Sequence, residues 1–191
     1  MKNIKEYLTK MAEEHPKSVI ANLSKGSKVQ KSWGLYYEID DVEIDKNLGE
    51  FPKGAVPYGP IYRTLKNSKK EIMEEFNENS KIPFSKVYNK GIGECLEKSI
   101  LVQLAVQRGR EGFLVNGCLA IEDEVGVSHH AYNIVFKDKK LFLIDVQNPL
   151  RVDSTGKVIH PYIAPILGIN EDYGEFLVPE EWKQKRIYSI F

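Results

Sequence analysis

Apolar residues recur every three to four positions in three stretches of the chain, and this spacing predicts three helices. The first stretch covers residues 4–14, where Ile4, Leu8 and Met11 share one face. The second covers residues 64–80, and the third covers residues 95–108. Each helix therefore presents an apolar stripe that needs a partner surface.

The pattern changes after the third helix to apolar runs typical of strands. Three such runs cover residues 112–121, 131–137 and 141–147, and a short polar link between the last two predicts a hairpin. The centre of the chain thus predicts an α+β fold, with a helix packed on an antiparallel sheet. Further upstream, residues 35–44 have strand-like composition, and residues 51–63, with three prolines and two glycines, predict a loop.

Composition narrows the class of protein. Apolar residues make up 42% of the 191 residues and charged residues 28%, so the chain can build a packed core. The 27 basic and 27 acidic residues balance, which argues against nucleic acid or an anionic membrane as a general partner. No apolar run is long enough to span a membrane, and the first residues lack a signal-peptide pattern. Two cysteines make no disulfide framework, so we expect a cytoplasmic protein, with export by a dedicated secretion machine left open.

Cys95 is the first candidate for chemistry. It follows Gly91 and Gly93 and opens the third predicted helix. The start of a helix favours negative charge and so favours a thiolate. The alternative is a buried structural thiol, which is the interpretation that fits Cys118 inside an apolar strand.

His130 and Asp145 complete a possible reacting set. His130 lies near the start of one predicted strand and Asp145 near the end of its hairpin partner, so both should lie at one end of the sheet. A thiol, an imidazole base and an orienting carboxylate form the arrangement of acyl-transfer enzymes. Asp145 could instead be an ordinary strand-end residue, which would leave a dyad. The adjacent His129 and His130 should point to opposite faces of a strand, and no zinc-type spacing occurs, so no metal is expected.

Four stretches carry a family resemblance over about residues 85–150, in the order GECLEKSILVQLAVQRG, FLVNG, HAYNIVF and LIDVQNP. They resemble the transglutaminase-like superfamily of papain-fold cysteine enzymes. The resemblance implies that Cys95 is the nucleophile, His130 the base and Asp145 the orienting residue. Tyr132 stands where the family usually has Trp, and Val146 stands where Pro often follows the Asp. Neither departure removes a reacting group.

The resemblance implies a single papain-like domain, with a catalytic core over residues 64–150 and extensions over residues 1–63 and 151–191. We expect acyl transfer from an amide or peptide bond through a thioester, with hydrolysis by a protease or glutamine deamidase as the outcome. A transglutaminase that cross-links proteins or amines is the alternative, as is a binding module that kept the fold without catalysis. The expected partner is a protein or peptide substrate, or a small amide or amine, and no cofactor is expected.

The oxyanion of such a reaction needs hydrogen-bond donors. The backbone N–H of Cys95 is the natural first donor at a helix start. Asn89 is the candidate for a second donor, with Tyr88 and Trp33 as alternatives.

Overall fold

The computed structural model describes residues 4–121 and 126–191, and within these ranges it is a mixed α+β fold. None of the helices in the described ranges is long and apolar enough to cross a membrane. The helices are α1 (Ile4–Glu14), α2 (Asp45–Leu48), α3 (Tyr58–Thr64), α4 (Lys69–Phe76), α5 (Phe84–Lys90), α6 (Cys95–Val106) and α7 (Glu180–Lys183).

The main sheet has eight strands and is antiparallel, with the order β10-β7-β6-β5-β13-β12-β11, and β1 also pairs with β5. Its strands are β1 (Val19–Ile20), β5 (Gly112–Ile121), β6 (Val127–Lys137), β7 (Lys140–Asp145), β10 (Tyr162–Pro165), β11 (Gly168–Asn170), β12 (Glu175–Leu177) and β13 (Arg186–Ser189). A three-stranded sheet contains β2 (Lys28–Ser32), β3 (Leu35–Glu38) and β4 (Lys81–Pro83). A short ribbon pairs β8 (Arg151–Val152) with β9 (Val158–His160).

The main sheet separates two apolar cores. Alternate residues along a strand point to opposite faces, and neighbouring residues of the sheet accordingly fall into different clusters. Leu114 and Ile144 belong to the cluster that contains most of α6, which we call the helix-side core. Val115 and Leu143 belong to a second cluster with α1 and the C-terminal strands, which we call the far-side core. Because α6 is buried on nearly all sides, it lies inside the helix-side core rather than on the surface.

Several predicted elements are confirmed. The helix over residues 4–14 is α1, and the strand over residues 112–121 is β5. The helix predicted from residue 95 begins there and ends at Val106, two residues before the predicted end. Strand β6 begins at Val127, four residues earlier than predicted, and β7 ends at Asp145, two residues before the predicted end.

Two other predictions are wrong in extent. The helix expected over residues 64–80 is limited to α4. The chain before α4 instead runs beside the loop between α5 and α6, where Lys66 forms an isolated β-bridge with Ile92. The loop expected over residues 51–63 contains most of α3. Pro60 is the third residue of α3, and proline is tolerated in the first turn because those N–H groups have no partner within the helix.

The strand-like composition of residues 35–44 extends beyond the strand itself, since β3 ends at Glu38. Two residues later, Asp40 accepts a hydrogen bond of 2.8 Å from the backbone N–H of Ser85. The C-terminal residues 151–191 contribute strands to the main sheet on both sides of the β5–β6–β7 centre. The C-terminal extension predicted from the sequence is therefore an integral part of the main sheet.

Gly117 tests the junction between β5 and β13. A Cβ atom at Gly117 would overlap the Ser189 carbonyl oxygen and approach Ile190 Cα at 3.2 Å. We expect Gly117→Ala to lower the free energy of unfolding by about 1–3 kcal/mol, because backbone atoms must move to admit the methyl group. Urea denaturation measures the change. The control is Gly59→Ala in α3, where no atom lies within 4 Å of the added carbon, and its stability should be unchanged or slightly higher. Equal stability of both variants would contradict the close packing of β13 on Gly117.

Candidate active site

A tight turn before α6 sets the position of Cys95. Gly91 ends α5 in the left-handed conformation with a φ of 67°, which glycine adopts without strain. Gly93 has no room for a side chain, since a Cβ atom there would lie 2.8 Å from atoms of Leu65 and of Glu97. These two glycines let the chain turn closely against its neighbours, so that Cys95 becomes the first residue of the helix.

Glu97 fixes the start of this helix from inside. Its carboxylate is fully buried and accepts a hydrogen bond of 2.8 Å from the backbone N–H of Glu94. Lys31 Nζ lies 2.8 Å from Glu97 Oε1, and the Tyr37 hydroxyl donates to the same oxygen at 2.6 Å. A buried carboxylate needs such partners to offset its lost hydration. The Glu97 cluster therefore joins the hairpin of β2 and β3 to the residues around Cys95.

His130 and Asp145 form a buried pair at one end of the main sheet. His130 Nε2 lies 2.8 Å from Asp145 Oδ2, and the two residues are 6% and 0% exposed. The register of β6 and β7 pairs Asn133 with Ile144, so Asp145 lies opposite Tyr132 and on the same face as His130. This confirms the expectation that the two residues meet at the same end of the sheet.

Asp145 is held by donors from the adjacent turn and from distant parts of the chain. The Tyr188 hydroxyl on β13 donates to Asp145 Oδ2 at 2.8 Å, and the Asn148 side-chain amide donates to the same oxygen at 2.9 Å. The Asn148 backbone N–H donates to Oδ1 at 3.2 Å. The Tyr58 hydroxyl on α3 donates to the Asp145 carbonyl. Both carboxylate oxygens are therefore hydrogen-bonded, which fixes the carboxylate against the imidazole.

The opposite charges of His130 and Asp145 explain which protonation state each residue adopts. Burial lowers the pKa of His130, but the charge and hydrogen bond of Asp145, together with the nearby Cys95 side chain, raise it overall to about 10. Burial raises the pKa of Asp145, but His130, Asn148 and Tyr188 hold it below its ordinary value. The site thus favours an imidazolium beside a carboxylate, with the Cys95 thiol as the other neighbour of the ring.

Cys95 and His130 approach each other from different cores. Cys95 is half-buried and packs against the helix-side core. The His130 ring lies 6.3 Å from the Tyr132 ring and 6.1 Å from the Tyr188 ring, both of which belong to the far-side core. Cys95 and His130 therefore lie at the margin where the two cores adjoin.

Lys98 lies one helical turn after Cys95 and is 2% exposed. Its ammonium donates to Asn67 Oδ1 at 2.6 Å and to Gln147 Oε1 at 2.7 Å, and it lies 5.2 Å from the centre of the Tyr62 ring. Burial lowers the pKa of Lys98 to about 8, although the charges of Cys95 and Asp145 act in the opposite direction. A second positive charge thus lies close to the thiol.

The candidate oxyanion donors lie in different settings. Asn89 is exposed on α5. The Tyr88 hydroxyl donates to the Ile44 carbonyl at 2.7 Å, and the Trp33 side chain is 96% exposed between β2 and β3. The backbone N–H of Cys95 belongs to the first turn of α6, whose N–H groups have no acceptor within the helix. The Cys95 N–H therefore has no acceptor within the helix, whereas no hydrogen bond in the described ranges links the Asn89 side chain to Cys95, His130 or Asp145.

Sequence reasoning missed several residues that shape the site. Asn148 lies in the quoted stretch LIDVQNP, three residues after Asp145, and its short side chain near a strand end is typical of a local hydrogen-bonding role. The pair of Glu94 and Glu97 has the spacing of a capping box, which was a usable signal. Tyr188 and Tyr58 have no local signal, because they reach Asp145 only through the packing of β13 and α3.

Cys118 has a different environment from Cys95. It lies on β5 opposite His129 on one side and Ser189 on the other, and burial raises the pKa of its thiol. Among residues 4–121 and 126–191, no group of three or more His, Cys, Asp or Glu side chains is arranged to hold a metal ion.

Comparison of the chain with protein-family models, with curated proteins and with solved structures gave no match. Any functional conclusion therefore depends on the quoted motifs and on the geometry of Cys95, His130 and Asp145.

Tyr188 provides a test of the hydrogen bonds around Asp145. We expect Tyr188→Phe to lower the free energy of unfolding at pH 7 by about 1.5–3 kcal/mol, because it removes a donor to a buried charge. Tyr132→Phe is the matched control, since the Tyr132 hydroxyl donates to the neutral Ser189 carbonyl at 3.0 Å. Its cost should be about 0.5–1.5 kcal/mol. Chemical denaturation measures the free energy of unfolding of both variants. A smaller loss for Tyr188→Phe than for Tyr132→Phe would contradict a hydrogen bond from Tyr188 to the charged Asp145.

The His130 pKa also predicts how stability depends on pH. Because this pKa is raised in the folded protein, the stabilisation by His130 is complete below about pH 6.5 and is lost as the pH rises toward the folded value. Between pH 6.5 and 8 the wild-type free energy of unfolding should fall by up to about 1.4 kcal/mol per pH unit relative to His130→Gln. The comparison is limited to pH 8 because the pKa of Lys98 is lowered to about 8 in the folded protein. Above that pH the deprotonation of Lys98 makes the free energy of unfolding rise with pH, which opposes the effect of His130. Urea denaturation across this range measures both slopes, and parallel slopes would show that His130 is not stabilised as an imidazolium.

Proposed function

We propose that this chain is a cysteine-dependent acyl-transfer enzyme of the transglutaminase-like type, with Cys95 as nucleophile, His130 as base and Asp145 as orienting residue. The observation that supports the proposal is the buried His130–Asp145 pair, with Nε2 and Oδ2 2.8 Å apart, and a Cys95 side chain near enough to raise the pKa of the same imidazole. The three residue types also occur in the order and spacing of the family motifs. The papain-like fold is part of this proposal.

The first half-reaction uses the charge distribution around the imidazole. A thiolate at Cys95 attacks the carbonyl carbon of an amide and forms a carbon–sulfur bond. The His130 imidazolium gives its proton to the leaving amine as the carbon–nitrogen bond breaks. Asp145 is hydrogen-bonded to Nε2, which leaves Nδ1 as the ring nitrogen available for proton transfer with the sulfur. The product is a thioester on Cys95 and a released amine or ammonia.

The second half-reaction regenerates the enzyme. We propose water as the acyl acceptor, because water needs no dedicated acceptor pocket. His130 takes a proton from the water as its oxygen attacks the thioester, and the carbon–sulfur bond breaks to give a carboxylic acid and the Cys95 thiolate. With a peptide bond as substrate the enzyme is a protease, and with a glutamine side chain it is a deamidase.

Charge stabilisation at the carbonyl oxygen would come first from the α6 N-terminus. The backbone N–H of Cys95 is oriented along the helix axis, and the helix dipole adds positive potential there. This donor is part of the backbone, so it is in place before the substrate binds and needs no reorganisation.

Alkylation of Cys95 tests the activated thiol without knowledge of the substrate. We expect iodoacetamide at pH 6 to label Cys95 at least tenfold faster than Cys118, because an adjacent imidazolium favours the thiolate. His130→Gln should slow the labelling of Cys95 by at least tenfold and leave Cys118 unchanged. Peptide mass spectrometry after timed quenching measures both sites. Slow labelling of Cys95 in the wild type, or no effect of His130→Gln, would contradict the proposed activation.

Turnover in ¹⁸O-labelled water tests the acyl acceptor. Incubation of the protein with a mixed peptide library should produce new carboxylates that carry ¹⁸O, at cleaved bonds or at deamidated glutamines. Cys95→Ala should abolish the products, and Cys118→Ser should not. Cross-linked products without ¹⁸O would show that the acceptor is an amine and the reaction is transamidation. Products that persist in Cys95→Ala would exclude Cys95 as the nucleophile.

A further inference from the structure

Lys98 differs from Lys31, a half-buried lysine near Cys95, in the way its charge is compensated. Lys31 Nζ lies 2.8 Å from Glu97 Oε1 and 3.6 Å from Glu94 Oε2, so two carboxylates oppose its charge. Within the described ranges, Lys98 has no carboxylate at ion-pair distance, and its hydrogen-bond acceptors are the neutral amides of Asn67 and Gln147. A buried cation without an anionic partner is costly, so its retention calls for an explanation.

The orientation of the two amides leaves their NH₂ groups available as hydrogen-bond donors beside the ammonium. An ammonium has no acceptor, so Asn67 and Gln147 must turn their oxygens toward Lys98 and their NH₂ groups away from it. The described part of the chain shows no hydrogen bond from either NH₂ group. The ammonium itself has three N–H donors, of which two serve the amides. The cluster therefore combines a positive charge with several uncommitted donors, which is the chemistry of an anion site.

The cluster is accessible and lies close to the nucleophile. Asn67 is exposed and Gln147 is half-buried, so the amides around the buried ammonium face solvent. Lys98 follows Cys95 by three residues in α6, which places their Cβ atoms about 5–6 Å apart on one side of the helix. The segment that carries Asn67 also adjoins the turn before Cys95, through the hydrogen bonds of Lys66 with Gly91 and Gly93.

We propose that Lys98, Asn67 and Gln147 form a subsite for a carboxylate of the acyl substrate, a few ångströms from the carbonyl that Cys95 attacks. This inference deepens the proposed function and rests on it for the identity of the ligand as a substrate. The carboxylate would supply the anionic partner that Lys98 lacks, and the amide NH₂ groups would complete its hydrogen bonds. The subsite selects acyl donors that carry a negative charge beside the reacting bond.

Alkylation by charged and neutral reagents tests the subsite directly. Iodoacetate carries a carboxylate next to its reactive carbon, and iodoacetamide carries a neutral amide in the same place. The measured quantity is the ratio of the iodoacetate rate to the iodoacetamide rate at Cys95, obtained by peptide mass spectrometry at pH 7. We expect Lys98→Met to lower this ratio about tenfold, whereas Lys66→Met, which removes an exposed lysine nearby, should leave it within about twofold of wild type.

A second variant avoids loss of a buried side chain. Asn67→Asp places a permanent carboxylate on the ammonium of Lys98 at an exposed position, so the fold should be retained. We expect the ratio to fall about tenfold in this variant. Asn79→Asp adds the same charge at another exposed position that forms no hydrogen bond with Lys98, and its ratio should match wild type. An unchanged ratio in Asn67→Asp, or equal falls in Asn67→Asp and Asn79→Asp, would overturn the subsite.

Two peptide sets identify the source of the carboxylate. One set ends in a free C-terminal carboxylate, and the other has an amidated C-terminus with an acidic side chain beside the scissile group. If the first set reacts and Asn67→Asp abolishes its turnover, the carboxylate is a peptide C-terminus. If the second set does so, the carboxylate belongs to an acidic side chain. If the alkylation ratios change as expected but neither set reacts, the anion subsite stands and the proposed acyl transfer fails.

Discussion

The buried carboxylate of Asp145 is the constraint around which the site is built. A fully buried negative charge is stable only when other groups replace its hydration. His130 supplies a positive charge, Asn148 supplies two N–H donors and Tyr188 supplies a hydroxyl. These partners come from β6, from the turn after β7 and from β13. The pairing of Asp145 thus requires the C-terminal part of the chain to join the main sheet, and the last strand is as necessary to the site as the strands that carry His130 and Asp145.

Glu97 has a similar role on the other side of the thiol. It is also fully buried, and its partners Lys31 and Tyr37 come from the hairpin of β2 and β3. Its own position in the first turn of α6 couples this hairpin to the start of the helix. Two buried carboxylates therefore fix the two halves of the site, one through the helix that carries Cys95 and one through the sheet that carries His130. Apolar packing alone is non-directional and would not set these positions to within hydrogen-bond distance.

The sequence predicted the parts of this arrangement that depend on local patterns. The periodicity after Cys95 predicted the start of α6, and the apolar runs with a short polar link predicted β5 and the hairpin of β6 and β7. Residues outside those patterns could not be predicted, for physical reasons. Tyr188 reaches Asp145 across 43 residues of chain, and its role arises only when β13 pairs with β5. No local pattern distinguishes Lys98 from the other charged residues of a helix, because its environment depends on Asn67 and Gln147, which come from either side of it in the sequence.

Cys95 and His130 can lie close together only if α6 has a fixed position along the sheet, because the two side chains pack against different cores. Hydrogen bonds between the helix and the sheet provide this placement. Asn133 on β6 donates to the Ser99 carbonyl at 3.1 Å, and Gln103 on α6 donates to the Gly112 carbonyl at 2.9 Å. A shift of α6 by one residue, about 1.5 Å, would break both bonds in a buried setting where no water replaces them. Asn133 lies in the stretch HAYNIVF, and its anchoring of the helix that carries Cys95 gives it a physical role. The alignment of sulfur and imidazole is thus set by polar contacts inside an otherwise apolar interface.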